Sequence, residues 1–327
     1  MTVKAIIHGD EGLRLGEMPT PAAKKGEVVV ALKTAGLNRR DLYIPARREN
    51  KGHDLILGSD GAGVVEAVGQ DVTRWSVGDE VMINPSLNWF EKSDGSPEGF
   101  RLLGMPDDGT FAEKIVISEE QLEFRPAYLS WEESASIGLA GLTGFRALIT
   151  RGKMKKGDTV FVPGAGSGVV TLIIQFAKAA GARVIVTSRS EEKREQALKL
   201  GADRAINTHA DWNEELKDET IDLVIESVGK ATFNRSLQSL KNGGRLVVFG
   251  ATTEDVIDLD LRELFNRQQE IVGSMMGSRD ELREMLVFAE KHHIRPVIDR
   301  ILPLDDALEG FKMLEDSSQF GKIVFTV

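Results

Sequence analysis

The chain has 327 residues, 41% of them hydrophobic and 28% charged, a balance that fits a folded globular protein and excludes fibrous or disordered classes. Its length suits two domains better than one core. A net charge of −10 with scattered lysines and arginines argues against nucleic acid or an anionic membrane as partner. No apolar run reaches the roughly eighteen residues of a membrane span, and MTVKAIIHGDEGLRL carries charges where a secretion signal needs an apolar core, so a cytoplasmic protein is expected. The absence of cysteine excludes disulfides, thiolate nucleophiles and cysteine-type zinc sites, and the five histidines form no cluster suited to a metal.

Up to about residue 125, short stretches punctuated by glycine predict an irregular β-rich region: EVVVALKTAG, GAGVVEAVG, GDEVMI and TFAEKIVI. Between residues 84 and 110 lies a long loop rich in Gly, Pro, Asp and Ser, whose Trp89 and Phe90 cover a pocket, pack down or join subunits. From residue 130 the rhythm changes. Ser130 and Glu133 have capping-box spacing and predict a helix running towards Arg151. Then TVFVPG reads as a strand, residues 168–180 as a helix and RVIVTS as a strand. EEKREQALKLG reads as a helix with a glycine stop, IDLVIES as a buried strand, TFNRSLQSLK as a helix and GRLVVFG as a strand. Such repeated units with continuously apolar strands predict a parallel sheet covered on both faces. After EIVGSMM, a second capping box at Ser278 and Glu281 starts a helix to about His292.

VPGAGSGVV, residues 162–170, sits between a predicted strand and a predicted helix, as a dinucleotide-binding turn must. Gly164 and Gly166 fit the first two positions of G-x-G-x-x-G; Val169 takes the last, and Gly168 comes one residue early, after Ser167. Glycines there let the backbone approach a pyrophosphate, and the free amides of a helix start favour anions. The next strand ends in Ser188-Arg189, with Lys193 close behind, where an NAD-selective enzyme would place a carboxylate. NADPH is therefore the expected cofactor.

Ahead of this region, GLNRRDLY offers Asn38, Asp41 and Tyr43 as polar groups, with no cysteine or histidine. AGLNRRDLY, LGSDGAGVVEAVG, VGDEVMINP, GTFAEK, GLTGFRAL and ESVG follow one another in the order found in the medium-chain dehydrogenase/reductase superfamily, which the chain resembles over nearly its whole length. The resemblance implies an α/β protein: a GroES-like β-rich catalytic domain at 1–125 and 270–327, and a Rossmann cofactor domain with a doubly wound parallel sheet at 126–269. It also implies a homodimer or homotetramer built through the cofactor domains. Where zinc members have their first cysteine the chain has Asn38; Ser59 and Asp60 replace a histidine and a glutamate, and Leu139 the second cysteine. One carboxylate cannot build a three-ligand site, so no catalytic zinc is expected.

The chain is similar to the zinc-free, quinone-oxidoreductase-like branch, and FRLLGMPDDGTFAEK resembles a bacterial subgroup labelled zinc-type alcohol dehydrogenase-like. In that branch an asparagine and a tyrosine spaced as Asn38 and Tyr43 lie beside the nicotinamide and the substrate oxygen. Thr143, Gly250-Ala251 and Gly273-Ser274 match cofactor-contacting segments. Arg39 and Arg40 stand where relatives often carry apolar residues, and Val170 replaces a glycine common at the end of the phosphate loop. The activity this implies is NADPH-dependent hydride transfer to a quinone or an α,β-unsaturated carbonyl as small-molecule partner, without zinc. Asn38 and Tyr43 are expected as neutral donors to the acceptor oxygen, worth about 2.7–4 kcal/mol each. Asp41 is expected to orient donors rather than act as a base. A protein that binds NADPH with little turnover, and an alcohol or aldehyde oxidoreductase of the zinc family, stay open as alternatives.

Overall fold

The computed structural model describes residues 1–47 and 52–327. They fall into two compact units, Met1–Ala140 with Ser278–Glu290 and Arg295–Val327, and Gly141–Gly277 with Lys291–Ile294.

The first unit is built around the strand Glu27–Gly36, in which Val28–Val30, Leu32 and Thr34–Gly36 are buried and Lys33 is exposed. On one side it pairs antiparallel with Asp60–Val68, from Val28 opposite Val68 to Gly36 opposite Asp60. Its other side is shared end to end. Glu27 to Ala31 pair with Lys114–Ser118, and Thr34 to Gly36 with Lys322–Thr326. Among the described residues the path of this sheet runs Leu122–Phe124, Glu80–Ile83, Asp60–Val68, Glu27–Gly36, Lys322–Thr326, Ile298–Pro303. Beneath it, Phe111 stands edge-on to Phe311 and Phe325, with centroids 6.0 and 5.2 Å away, an arrangement worth about 0.5–1.5 kcal/mol per pair beyond burial.

The long loop packs down. Trp89 is 1% exposed and meets Phe100 edge-on. The carbonyls of Trp89 and Phe90 accept the amides of Arg279 and Asp280 at 2.8 and 3.0 Å, so the loop supplies acceptors to the first turn of the helix Arg279–Lys291. That helix opens with the expected capping box: the Glu281 amide donates to Ser278 Oγ, and the Ser278 amide to Glu281 Oε2 at 3.0 Å. Ser130 and Glu133 form the same reciprocal pair at the start of Trp131–Phe145.

The second unit holds a parallel sheet ordered Arg204–Asn207, Arg183–Ser188, Thr159–Val162, Ile221–Glu226, Leu240–Val248, Glu270–Gly273 among the described residues. Its helices include Gly168–Ala179, Glu191–Leu200, which stops at Gly201 in the left-handed region, and Phe233–Ser239. The compact units divide at 140/141 and 277/278, where the sequence leads one to expect domain divisions at 125/126 and 269/270. At the first, the carbonyl of Trp131 accepts from Thr34 Oγ1 and the Leu139 amide donates to Asp60, which binds the opening turns of the helix to the β-rich unit. At the second, Glu270–Gly273 is the sixth strand of the parallel sheet and carries that unit past residue 269.

Candidate active site

In the first unit the chain leaves its central strand at Gly36 and turns through a short 3-10 helix, Arg39–Leu42. Asn38 is its N-cap, and the Asn38 amide donates to Asp41 Oδ2 at 2.8 Å. Asp41 is fully buried; among the described residues its Oδ1 accepts no hydrogen bond, and it stands 3.8 Å from Arg40 Nη1. Burial pushes its carboxyl up to about 6 against the opposing pull of Arg40 and the Asn38 amide. It holds the turn that presents Asn38 and Tyr43. Tyr43 is half-buried, with the Arg47 guanidinium 5.4 Å from its ring centroid, and among the described residues its hydroxyl makes no hydrogen bond.

Asn38 is drawn into a buried cluster. Its Nδ2 donates to Asp60 Oδ2 at 2.9 Å and to the Gly36 carbonyl at 3.2 Å, while its Oδ1 accepts from Lys322 Nζ at 2.6 Å. An ammonium only donates and a carboxylate only accepts, so these partners fix which way the amide faces. Asp60 in turn accepts the Leu139 amide on Oδ1 at 2.7 Å, an approach that needs Gly138, where a Cβ would lie 2.7 Å from the same oxygen. Lys322, 4% exposed, lies 3.4 Å from Asp60 Oδ2, and burial lowers its pKa against the opposing pull of Asp60 and Asp41. Both N–H groups of the Asn38 amide are thus spent within the fold, and donation to an acceptor oxygen would have to break one of these bonds.

Arg39 and Arg40 now have partners. Arg39 Nη1 donates to the Leu314 carbonyl and Ser317 Oγ, closing the end of the helix Ala307–Glu315. Arg40 Nη1 donates to Ser59 Oγ and the Leu103 carbonyl at 2.6 and 2.8 Å. A zinc ion does not fit this set. Of the four positions only Asp60 carries a metal-binding side chain of the usual kind, and its oxygens are committed to Leu139, Asn38 and Lys322; Ser59 is taken by Arg40 and Leu103. Among the described residues no three His, Asp or Glu stand together as metal ligands do.

In the second unit the remaining candidates line one edge of the sheet, at the carboxyl ends of parallel strands. Ser188 ends one strand, Gly164 follows the next, Gly250-Ala251 follow Leu240–Val248, and Gly273-Ser274 end the last. This is the edge at which open parallel sheets bind ligands. Gly164 and Gly166 have φ of +86° and +116°, a backbone region costly for other residues. Ser167 caps Gly168–Ala179, its Oγ accepting from the Val170 amide at 3.1 Å. The amides of Ser167, Gly168 and Val169 have no acceptor among the described residues, the donor set an anion requires. Val170 is fully buried and packs into the core, so its side chain costs the turn nothing.

Arg189 is exposed, and Arg194 lies across the strand end with Nη1 on the Ser188 carbonyl at 2.9 Å. The Lys193 amide donates to Ser190 Oγ within the helix start. Thr143, on the helix Trp131–Phe145, is buried in the same unit. A dinucleotide fits this edge. Sequence reading passed over two groups, Lys322 and Arg194, because a lysine before an apolar strand and an arginine in a charged helix carry no local signature.

The chain matches two family profiles: an alcohol dehydrogenase GroES-like domain over residues 24–126 and a zinc-binding dehydrogenase over 168–291. It is 34% identical to a zinc-type alcohol dehydrogenase-like protein of Schizosaccharomyces pombe, covering all of both chains. It is 32% identical to an acryloyl-coenzyme A reductase of Sulfurisphaera tokodaii, covering 98% of this chain and 99% of the other. The crystal structure of an NAD-dependent alcohol dehydrogenase superposes with a TM-score of 0.91 at 37% identity, covering 99% of each chain. With both family domains in order and relatives matched end to end, the chain belongs to the medium-chain dehydrogenase/reductase superfamily, a superfamily of oxidoreductases.

Proposed function

We propose that the chain is an NADPH-dependent reductase of α,β-unsaturated carbonyl compounds, quinones included, that works without catalytic zinc. The observation that carries this reading is the cluster of Asn38, Asp60 and Lys322, in which the groups a metal would need are already hydrogen-bonded to one another. Without a Lewis acid, the acceptor must tolerate weak activation of its oxygen, and a conjugated system does so by spreading the developing charge over several atoms. Bound NADPH supplies the hydride. Of the two donors expected in this stretch, Tyr43 is the one whose hydroxyl makes no hydrogen bond among the described residues, and in this reading it donates to the acceptor oxygen and passes on a proton. The resemblance to an acryloyl-coenzyme A reductase supports the acceptor class. Choice of NADPH over NADH rests on Ser188 and Arg189, where no carboxylate repels a 2′-phosphate.

A homodimer is part of the same reading. The strand Glu270–Gly273 is the outer strand of its sheet, with Ile271 exposed, and the preceding helix Leu261–Asn266 buries none of its residues, leaving Leu261 and Phe265 65% and 62% exposed. An open strand edge beside exposed apolar groups suits pairing with a second copy.

Steady-state assays of the purified protein with NADPH against enoyl thioesters, enones, quinones, aldehydes and alcohols test the activity. Turnover of conjugated acceptors that survives exhaustive chelation is expected. Turnover confined to alcohols and aldehydes, or bound NADPH that no acceptor oxidises, would sink the reading.

A further inference from the structure

The strand Ile221–Glu226 ends at the same sheet edge as the candidate cofactor residues, and it ends in a carboxylate. Glu226 is fully buried. Its Oε1 accepts the amides of Val228 and Gly229 at 2.7 and 3.3 Å and the Thr232 hydroxyl at 3.0 Å, while its Oε2 accepts the hydroxyls of Ser236 and Thr232 at 2.7 and 3.0 Å. We infer that Glu226 is a positioning residue for the nicotinamide dinucleotide, an internal acceptor that fixes the turn 227–229 and, through it, the segments that meet the cofactor on either side. The inference rests on the reading of this edge as a dinucleotide site.

Turned outward, a carboxylate here would repel a pyrophosphate; turned inward, it is met by two backbone amides and two hydroxyls. The geometry it imposes is relayed both ways. On one side Val228 stands so close to the phosphate turn that a Cβ at Gly164 would lie 3.1 Å from Val228 Cγ2. On the other, the carbonyls of Glu226 and Ser227 accept the amides of Phe249 and Thr252 at 3.1 and 3.2 Å, which brackets Gly250-Ala251 between two bonds. The Val228 carbonyl accepts both the amide and the hydroxyl of Thr253, at 2.8 and 2.7 Å. Gly229 has φ of +96°, and a Cβ there would lie 2.6 Å from the Glu254 carbonyl oxygen, so the turn closes tightly against the next loop. An apolar side chain at 226 would take the acceptor from the Val228 and Gly229 amides, and both flanks of the edge would lose their common support.

The experiment compares wild type, Glu226→Leu, Glu226→Gln and Thr253→Val in the full chain. Dissociation constants for NADPH and NADH, read from nicotinamide fluorescence, need no acceptor. Glu226→Leu should raise both by the same factor, roughly tenfold or more, because the turn serves the part common to the two nucleotides. Glu226→Gln should stay within about threefold of wild type, since its Oε1 can still accept the two amides while its NH2 donates to the hydroxyls. In the protein without nucleotide, amide hydrogen exchange should quicken in Glu226→Leu at 163–166, 227–229 and 249–254 and stay unchanged in the outer strand Arg204–Asn207. Should Glu226→Leu not fold, Thr253→Val, at an exposed position, carries the test with a rise of about threefold in both constants. Unchanged constants in whichever of these two variants folds, or a Gln variant as impaired as Leu, would overturn the positioning role. Exchange that quickens throughout the unit would overturn it too, leaving Glu226 a stabilising residue only. Wild type that binds neither nucleotide would instead sink the dinucleotide reading, and the exchange pattern would still decide what Glu226 holds.

Discussion

At Asp41 burial outweighs every favourable contact the carboxylate makes. Its pKa of about 6 in the folded state lies above the ordinary 3.8, so the native protein holds this proton more tightly than the unfolded chain. The stabilising effect of that proton is fully present below about pH 4 and is lost as pH rises through 6, a cost on the order of 3 kcal/mol at neutral pH. Against Asp41→Asn, which removes the titration, wild-type urea midpoints should lose ground between pH 4 and 6.5; a gap that stays constant would show the carboxylate ionised throughout. Arg189 makes a second test at this scale. Its exposed guanidinium is free to meet a 2′-phosphate with charge-assisted hydrogen bonds of about 1.5–3 kcal/mol. Arg189→Ala should raise the Michaelis constant for NADPH tenfold or more and leave that for NADH nearly unchanged, and equal effects on both would reject the assignment. Asn38 and Asp41 show where reading from sequence stops. Asn-x-x-Asp is the spacing of a capping box, the pattern legible at Ser130 and Ser278, yet in a stretch scanned for chemistry it passes for reactive groups. No local pattern reveals that Asn38 faces Lys322, 284 positions away.

Elements were far more legible than contacts. The parallel strands Thr159–Val162, Arg183–Ser188 and Ile221–Glu226 each hold an unbroken buried apolar run, Val160–Val162, Val184–Val186 and Leu223–Ile225, because both faces are covered, and that marks them. Arg204–Asn207 lies at the edge of the sheet and has only Ala205 and Ile206 as apolar residues, so it lacks the signal. Helix starts were readable for a local reason, since their amides must find acceptors within a few residues. Ser278→Ala should therefore cost about 1 kcal/mol, read as a lowered urea midpoint. A loss indistinguishable from zero would mean that the Trp89 and Phe90 carbonyls alone hold the helix start. Those two carbonyls also explain why the long loop could not be placed from its composition: its partners are backbone groups some 190 residues on, which no side-chain pattern announces.

For the molecule as a whole, the outer strand Glu270–Gly273 makes assembly testable. Sedimentation should give a dimer or a larger even assembly, and Phe265→Asp should shift it towards monomer at micromolar concentration without lowering the urea midpoint by more than about 0.5 kcal/mol equivalent, as is usual for exposed sites. An unchanged assembly would move the interface elsewhere. The strand Lys322–Thr326 has a different consequence. It brings a positive charge to Asn38 and Asp60 by pairing with Glu27–Gly36, so the cluster closes only when segments from opposite ends of the sequence meet. Synthesis delivers Asn38 early and Lys322 almost last. A chain truncated before Lys322 would hold every other group of the cluster and still leave Asn38 Oδ1 without its donor.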